Sequence, residues 1–300
     1  MAINRAQLAK ELEPGLNALF GLEYARYENE AAQIFEQESS DRAFEEEVML
    51  VGFGQANVKA EGSAVGFDTA SESFTARYVH DTIALAFALT EEAVEDNLYD
   101  SLSARYTKAL ARSMAYTKQV RGANVLNDAF TVAGGDGVSL INTAHPTALG
   151  GNFSNRSATD ADLNETSLEQ AMIDIAGFID ERGLKIAMKG QKLILPVNLQ
   201  FVADRILEST LRVGTADNDI NAMKNMGMLP GGYTVNHYLT DTDAWFVKTD
   251  CPNGLKHFVR AALATGMEGD FDTGNMRYKA RERYSFGYSD PRAAYGSQGS

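Results

Sequence analysis

The 300-residue sequence predicts an α+β fold, in which helices and strands occupy mostly separate stretches of the chain. Three observations predict it. Residues 90–123 carry the apolar spacing of one long helix, residues 48–89 and 276–288 alternate with the period of strands, and residues 164–260 alternate short helices with short strands. The length alone allows one large domain or two modest ones.

Residues 4–47 are predicted to form an amphipathic helical arm that breaks at Pro14-Gly15. The arm becomes rich in glutamate towards Glu45-Glu46-Glu47. A solvated surface segment is the ordinary explanation for such a run of charge. The alternative is an arm that lies on a neighbouring subunit, because its large apolar side chains need burial. These are Leu16, Leu19, Phe20, Leu22, Tyr24 and Tyr27.

Residues 48–89 are predicted to form an extended β-hairpin loop. Alternate side chains of residues 79–89 are apolar, and residues 48–51 could pair with that strand. Between them lie four glycines among small or polar residues, namely Gly52, Gly54, Gly62 and Gly66. Because these residues offer little apolar core, the hairpin would be only marginally stable by itself. We therefore expect it to lie on another surface. An ordinary hairpin folded onto its own domain is the alternative.

The predicted long helix begins at Thr90 as N-cap and continues to Ala123. Its first turns are acidic and its later turns basic, which suits the helix dipole. One apolar stripe follows i, i+4 spacing, made of Val94, Leu98, Leu102, Tyr106, Leu110 and Met114. At 1.5 Å per residue the helix is a rod of roughly 45–50 Å, which nearly spans a compact globule of this length. The sequence therefore predicts a flat, elongated subunit or a helix that breaks.

The region after this helix is predicted to be loop, then a smaller α+β domain. Residues 134–137 form a glycine-rich turn, and residues 146–159 form loop. A helix is expected over residues 164–182, with a capping box from Thr166 to Glu169 and Gly183 at its end. A second helix is expected over residues 198–208. Strands are expected over residues 192–196, 233–239, 244–248 and 255–260.

Residues 276–288 are predicted to be a strand with two unlike faces. One face carries Arg277, Lys279, Arg281 and Arg283, and the other carries Tyr278, Tyr284, Phe286 and Tyr288. Basic side chains interleaved with aromatic ones can form a single-strand nucleic-acid surface. The net charge of −14 favours a buried aromatic face and basic residues that pair with acidic neighbours.

Composition excludes several classes of protein. The acidic balance argues against a general nucleic-acid binder. The single cysteine, Cys251, excludes an intramolecular disulfide, and a lone thiol is expected to be inert. The chain shows neither a signal peptide nor a run of apolar residues long enough to span a membrane. We therefore expect a protein that is made and kept in a cytoplasm.

The candidate catalytic and metal residues are few. His145 follows a polar loop that contains Asp136, and a histidine beside a carboxylate could be a general base. The more common role of such a residue is to order its loop. Asp217, Asp219 and Asn221 match the first three calcium ligands of an EF-hand. Ala222 and Met228 stand where that loop needs glycine and a bidentate glutamate, so the match fails. The sequence predicts no catalytic, cofactor-binding or metal site, and no enzyme.

The order of these elements resembles the major capsid protein of tailed bacteriophages. Two motifs resemble the family's loop entry and spine-helix start, Phe44-Glu45-Glu46-Glu47 with Gly52-Phe53-Gly54, and Thr90 to Tyr99. Two more are similar to the Mu-like major head protein group. They are Gly135-Asp136-Gly137 with His145-Pro146, Gly150-Gly151 and Asn155, and Arg283 to Tyr288 with Asp290-Pro291-Arg292 and Tyr295-Gly296-Ser297. The resemblance covers residues 5 to 297.

This resemblance implies the phage major capsid (Johnson) fold. Its parts would be an N-terminal arm (1–47), an extended loop (48–89), a peripheral domain with the spine helix (90–140 and 270–300), and an axial domain (141–269). It implies a major capsid protein that self-assembles, as hexamers and pentamers, into the icosahedral head shell around double-stranded DNA. No catalysis and no cofactor are expected.

The implied partners are other copies of the chain, portal and scaffolding proteins, a decoration protein, and packaged double-stranded DNA bound non-specifically, with no membrane. The implied location is the virion, after assembly in the host bacterial cytoplasm. Lys59 is the only lysine of the extended loop. Since no partner asparagine is identifiable, the covalent cross-link of some relatives is not assigned.

Two other functions remain open from the sequence. An encapsulin-like compartment would use the same fold to hold a cargo enzyme. A hydrolase using His145 is the remote alternative.

Overall fold

The computed structural model describes residues 5–90, 99–212, 219–270 and 274–300. Side chains are described from residue 13 and, after the first gap, from residue 103. The helices are α1 (Arg5–Arg26), α2 (Glu30–Ile34), α3 (Tyr99–Asn127), α4 (Glu165–Ala176), α5 (Gln200–Glu208) and α6 (Ala222–Met226). Among the described residues, no helix is both long enough and apolar enough to cross a membrane.

Strands make up most of the remaining regular structure. They are β1 (Glu36–Ser39), β2 (Phe44–Val51), β3 (Ser71–Val79), β4 (Asp81–Leu89), β5 (His145–Pro146), β6 (Asn152–Phe153), β7 (Gly190–Leu195), β8 (Tyr233–Val235), β9 (Trp245–Thr249), β10 (Leu255–Gly269), β11 (Met276–Tyr288) and β12 (Ala294–Ser297).

A long four-stranded sheet, ordered β1-β10-β11-β4, supports one half of the molecule. β1 runs parallel to β10, and the other pairs are antiparallel. Helices α1 and α3 cover one face of this sheet. Their shared core, called here the arm core, is Leu16, Phe20, Leu110, Ala111, Met114, Tyr278 and Ala280. Burial of apolar area in this core joins the N-terminal helix to its own chain.

A second sheet, ordered β12-β9-β7-β8, carries the main core. Leu168 and Ile175 of α4 pack in this core with Ile194 of β7 and Trp245 of β9. Leu126, near the end of α3, belongs to the same core. Helix α3 therefore runs from the arm core into the main core and joins the two halves.

The buried face of α3 differs from the predicted stripe. The helix runs to Asn127, past the predicted end at Ala123. Tyr106, placed on the stripe, is 48% exposed, whereas the small residues Ala111 and Ala115 are buried. A Cβ on Gly122 would lie 2.9 Å from the Cβ of Ala31, so small side chains let the helix approach its neighbours closely. Residues 91–98 lie outside the described residues, and so do the stripe residues Val94 and Leu98 and the helix start that Thr90 is predicted to cap. The side chain of Leu102 is not described either.

The predicted arm is wrong in three respects. α1 runs through Pro14 without a break, because the contacts of Leu16 and Phe20 outweigh one lost backbone hydrogen bond. Residues 36–39 and 44–47 are strands, since β1 adds to the edge of β10. Leu16 and Phe20 are buried against their own chain and not against a neighbouring subunit, whereas Leu22 is 74% exposed.

The predicted pairing of residues 48–51 with residues 79–89 is also wrong. β2 pairs with β3, with Val48 opposite Thr75, and β4 pairs with β11, with Leu85 opposite Ala280. The chain changes sheet at His80, a buried residue whose ring nitrogens lie 2.9 Å from the hydroxyls of Ser40 and Ser285. We call β2, β3 and residues 52–70 the extended hairpin.

The middle region follows the prediction with shifted boundaries. The α5, β7 and β9 elements confirm three predicted segments, and β10 extends well beyond residue 260. Helix α4 ends at Ala176 instead of residue 182. Its capping box is formed by Asn164 and Ser167, because the asparagine side chain accepts from the N–H three residues on. Gly183, at φ +79°, lies in a turn beyond the helix.

Candidate assembly surfaces

The tip of the extended hairpin exposes large apolar side chains to solvent. Val58 and Phe67 are fully exposed, and Phe53 and Val65 are about two-thirds exposed. Residues 52–70 form no strand, and Lys59 lies among these exposed residues. Several large apolar side chains exposed within one short segment are a candidate protein interaction site. The tip is therefore the first candidate surface.

The base of the hairpin is held by a buried lysine and its two partly exposed carboxylate partners, which the sequence analysis missed. Lys256 of β10, 3% exposed at its side chain, pairs with Glu47 and with Glu38 at 2.9 Å. Ser289 also donates to Glu47 and lies 2.5 Å from the hydroxyl of Tyr78. Burial alone lowers the pKa of Lys256, but the hydrogen bonds and charges of both glutamates raise it above its usual value. The lysine thus stays protonated and anchors β2.

The outer face of the long sheet is a basic surface, as the alternation of β11 predicted. Arg277, Lys279 and Arg281 are exposed, and Arg283 is half-buried. Successive side chains on one face are about 6.8 Å apart along the strand. By strand register Lys279, Arg281 and Arg283 lie between small neighbours, which are Thr82, Ala84 and Ala86 on β4 and Ala261, Ala264 and Gly266 on β10. Arg277 lies opposite Glu268 and pairs with Asp270, so its charge is partly balanced within the chain. We call this surface the basic sheet face; it is the second candidate surface.

The opposite face of β11 is apolar and encloses one carboxylate. Tyr278 and Tyr284 are buried there, as predicted for the aromatic face. Glu282 lies between them and accepts from Lys118 of α3 at 3.3 Å. Burial raises the pKa of Glu282 although Lys118 opposes the shift. Burial and the same carboxylate raise the pKa of Tyr24 on α1. This polar contact also ties the N-terminal helix to the sheet.

His145 and Asp136 do lie together, in an arrangement that orders a loop. The Nδ1 atom of His145 is 2.5 Å from Oδ2 of Asp136, and its Nε2 atom is 3.1 Å from Oδ1 of Asn155. The same Oδ1 accepts the N–H of Asn142, so it is an acceptor and Nε2 must donate to it. His145 is 2% exposed. Because both ring nitrogens are occupied and buried, neither faces a substrate.

The other candidate residues are structural too. Cys251 is buried, and burial raises the pKa of its thiol, so little thiolate forms. Asn221, an EF-hand candidate, caps α6 and donates to the carbonyls of Ile206 and Ser209. Asp217 lies outside the described residues. Within the described ranges, no group of three or more His, Cys, Asp or Glu side chains could hold a metal ion.

Comparisons with known proteins agree with this fold. A family model described as "Phage capsid protein" matches residues 73–297, about three-quarters of the chain. No curated protein matches the sequence.

Solved structures share the fold at low sequence identity. The virus-like particle from Pyrococcus furiosus gives a TM-score of 0.55 at 10% identity, covering 95% of this chain and 98% of that chain. The capsid of Myoviridae Phage XM1 gives 0.55 at 11% identity, with 89% of each chain covered. The capsid of Cyanophage P-SCSP1u gives 0.57 at 11% identity, covering 88% and 85%. At these identities the likeness concerns the fold.

Proposed function

Since the chain belongs to the phage capsid protein family and is a major capsid shell protein, we propose that its copies form the icosahedral head of a tailed phage around double-stranded DNA. The observation that carries the proposal is the family match from β3 to the end of β12. It includes β4, β10 and β11, which form the basic sheet face. Membership of the Mu-like group within the family stays a prediction.

Assembly energy would come from surfaces that one subunit leaves uncovered. Burial of the exposed apolar tip of the extended hairpin would lower the free energy of the assembly, and the basic sheet face would attract acidic segments. The chain itself offers such segments, because Glu46 and Glu72 are exposed on the hairpin and the net charge is −14. A second copy is therefore the occupant we propose for both surfaces.

The two cores support a division of the chain into two domains. We propose that α3 and β11 belong to the peripheral domain (90–140 and 270–300), and that most of the main core lies in the axial domain (141–269). In the arm (1–47) and the extended loop (48–89), the parts that would reach other subunits are the exposed ones, such as Leu22 and the hairpin tip, since Phe20 and β4 pack on their own chain. Assembly as hexamers and pentamers, portal, scaffolding and decoration partners, packaged DNA, and assembly in the host cytoplasm before residence in the virion belong to the same proposal.

A cargo compartment is the less favoured function, because the matching family model is that of phage capsid proteins. No catalytic role is proposed for His145, because its ring nitrogens are occupied.

Charge reversal on the basic sheet face tests the assembly proposal. We expect Lys279→Glu with Arg281→Glu to abolish shells, because acidic segments of a neighbour would meet like charge. Negative-stain microscopy and sedimentation velocity measure the outcome. The matched control is Arg105→Glu with Arg112→Glu, the same charge change on exposed positions of α3. Wild-type protein that stays monomeric at high concentration would contradict the proposed function, and normal shells from the first variant would contradict the role of this face.

A further inference from the structure

Arg182 joins the extended hairpin to the rest of its own subunit, called here the body. It does so at the far end of the paired strands β2 and β3, where residues 52–70 begin. The Nε atom of Arg182 donates to the carbonyl of Gly52 at 3.0 Å. Its Nη2 atom donates to the carbonyl of Thr69 at 2.6 Å and lies 3.3 Å from Oδ1 of Asp68. The second oxygen of Asp68 accepts the N–H of Gly54 at 2.8 Å. The guanidinium thus closes the neck of the hairpin where β2 and β3 end.

The turn that carries Arg182 is itself firmly held. The side chain of Asp180 accepts the backbone N–H groups of Arg182 and Leu184, and Gly183 adopts φ +79°. The next side chain, Glu181, accepts from buried Arg292 at 2.9 Å. Arg182 therefore projects from a rigid part of the body.

The near end of the hairpin is packed tightly. A Cβ on Gly135 would lie 2.6 Å from the carbonyl oxygen of Thr75, and a Cβ on Gly287 would lie 2.7 Å from the ring of Tyr78. Lys256 forms an ion pair with Glu47 at this end of the hairpin. These contacts leave no room for the near end to slide.

The stretch between the two ends is packed only in part: Val51 is buried and the sulfur of Met49 lies 3.9 Å from Nη1 of Arg292. An open cleft of about 400 Å³ separates Met49 and Leu50 of the hairpin from Ile186, Met188 and Cys251. The angle of the hairpin over the main core therefore rests on the burial of Val51 and on the polar contacts at the two ends.

These two ends differ in strength. At the near end the side chains of Lys256 and Glu47 are 3% and 25% exposed, whereas at the far end those of Arg182 and Asp68 are 17% and 43% exposed. Exposed ion pairs are weak and are screened by salt, whereas buried ones hold. We propose that Arg182 is a releasable clasp for the extended hairpin, which pivots about the Glu47–Lys256 pair when the clasp opens.

The inference rests on the proposed function for its purpose, because in a shell the angle of the hairpin would determine where its exposed tip meets a neighbouring subunit. Arg182 is a positioning residue: it sets where the exposed tip lies and takes no part in the tip's own contacts.

The test measures the position of the tip in the unassembled full-length subunit at low protein concentration. Spin labels at Ser63→Cys on the tip and Ala109→Cys on α3, in a Cys251→Ala background, report the distance between hairpin and body. We expect Arg182→Ala to broaden the distance distribution about twofold, because the hairpin gains a range of angles. Raising NaCl to about 1 M should broaden the wild-type distribution and leave the variant unchanged.

Two further variants and one control sharpen the result. Arg182→Lys should give an intermediate width, because one ammonium cannot hold three acceptors in a fixed fork. Asp68→Ala opens the clasp from its exposed side and decides the question if Arg182→Ala fails to fold. The control is Arg156→Ala, which removes another arginine of an ion pair, 22% exposed at its side chain, away from the hairpin.

A wild-type distribution in both Arg182→Ala and Asp68→Ala overturns the clasp, and so does equal broadening in Arg156→Ala. Neither result depends on shell formation. Failure of the wild type to assemble contradicts the proposed function and leaves the clasp measurement valid.

Discussion

Single buried polar side chains join distant segments of this protein. Asn155 is fully buried, and its Nδ2 atom lies 2.7–2.9 Å from the carbonyls of Leu140, Pro291 and Ala294, which share its two hydrogens. Its Oδ1 atom accepts from Asn142 and from His145. A buried backbone group left unpaired costs about 1–3 kcal/mol. One amide therefore secures the loop before β5 and the start of β12, and the His145–Asp136 contact belongs to this structural network.

His257 makes the stability of the fold depend on acid. Its ring stacks on Phe286 at 4.2 Å, and burial together with the charge of Lys118 lowers its pKa from 6.5 to about 4. The unfolded chain takes up this proton near pH 6.5 and the folded chain only near pH 4, so the free energy of unfolding falls as pH falls between those values. The expected loss is about 3 kcal/mol.

The variant His257→Phe keeps the stacked ring and removes the titration. Urea unfolding at pH 7 and pH 4.5 should show a smaller difference in this variant than in the wild type. An identical difference in both proteins would show that His257 does not contribute to the acid response.

At the scale of elements, close approach of backbone decides where the extended hairpin lies. The strand β3 crosses the loop at Gly135 so closely that a Cβ there would meet the oxygen of Thr75 at 2.6 Å and its carbon at 3.0 Å. No side chain can give way, because the obstructing atoms are backbone. The predicted glycine-rich turn is therefore the site where the hairpin packs closely against the loop.

Gly135→Ala tests this close contact between the loop and β3. We expect a loss of about 1–3 kcal/mol in the free energy of unfolding, since overpacking forces the hairpin and the loop apart. Gly52→Ala is the matched control, because a Cβ there would have nothing within 4 Å. Denaturant unfolding of both variants measures the difference, and equal stabilities would show that β3 yields without cost.

The whole molecule consists of two cores that α3 connects. The arm core depends on Phe20 and Met114, and the main core depends on Leu168 and Ile194. Trp245, the only tryptophan, lies in the main core. Its fluorescence therefore reports one core, while far-UV circular dichroism reports both. This arrangement lets each half be followed separately during unfolding.

Phe20→Ala should destabilise the arm core by about 3–5 kcal/mol and leave the fluorescence transition in place. Leu168→Ala should shift the fluorescence transition instead. Leu22→Ala, at a position 74% exposed, is the control and should change neither. If Phe20→Ala shifts both probes equally, the two cores unfold as one unit.

Local sequence determined the elements whose faces are set by their own periodicity. The alternation over residues 276–288 predicted the exposed cations and buried tyrosines of β11, and the spacing over residues 198–208 predicted α5. The order of motifs along the chain was enough to indicate the capsid family. Periodicity works in these cases because it records which side chains meet water, and that is a local property.

The tertiary structure alone decided which elements meet. It paired β2 with β3 instead of β4, kept α1 helical through Pro14, and turned Tyr106 of α3 to solvent. It also brought Arg182 to Gly52, across 130 residues of chain. Such contacts depend on the close fit of surfaces that are remote in sequence, and no local pattern records them, because many partners satisfy the same alternation of apolar and polar residues.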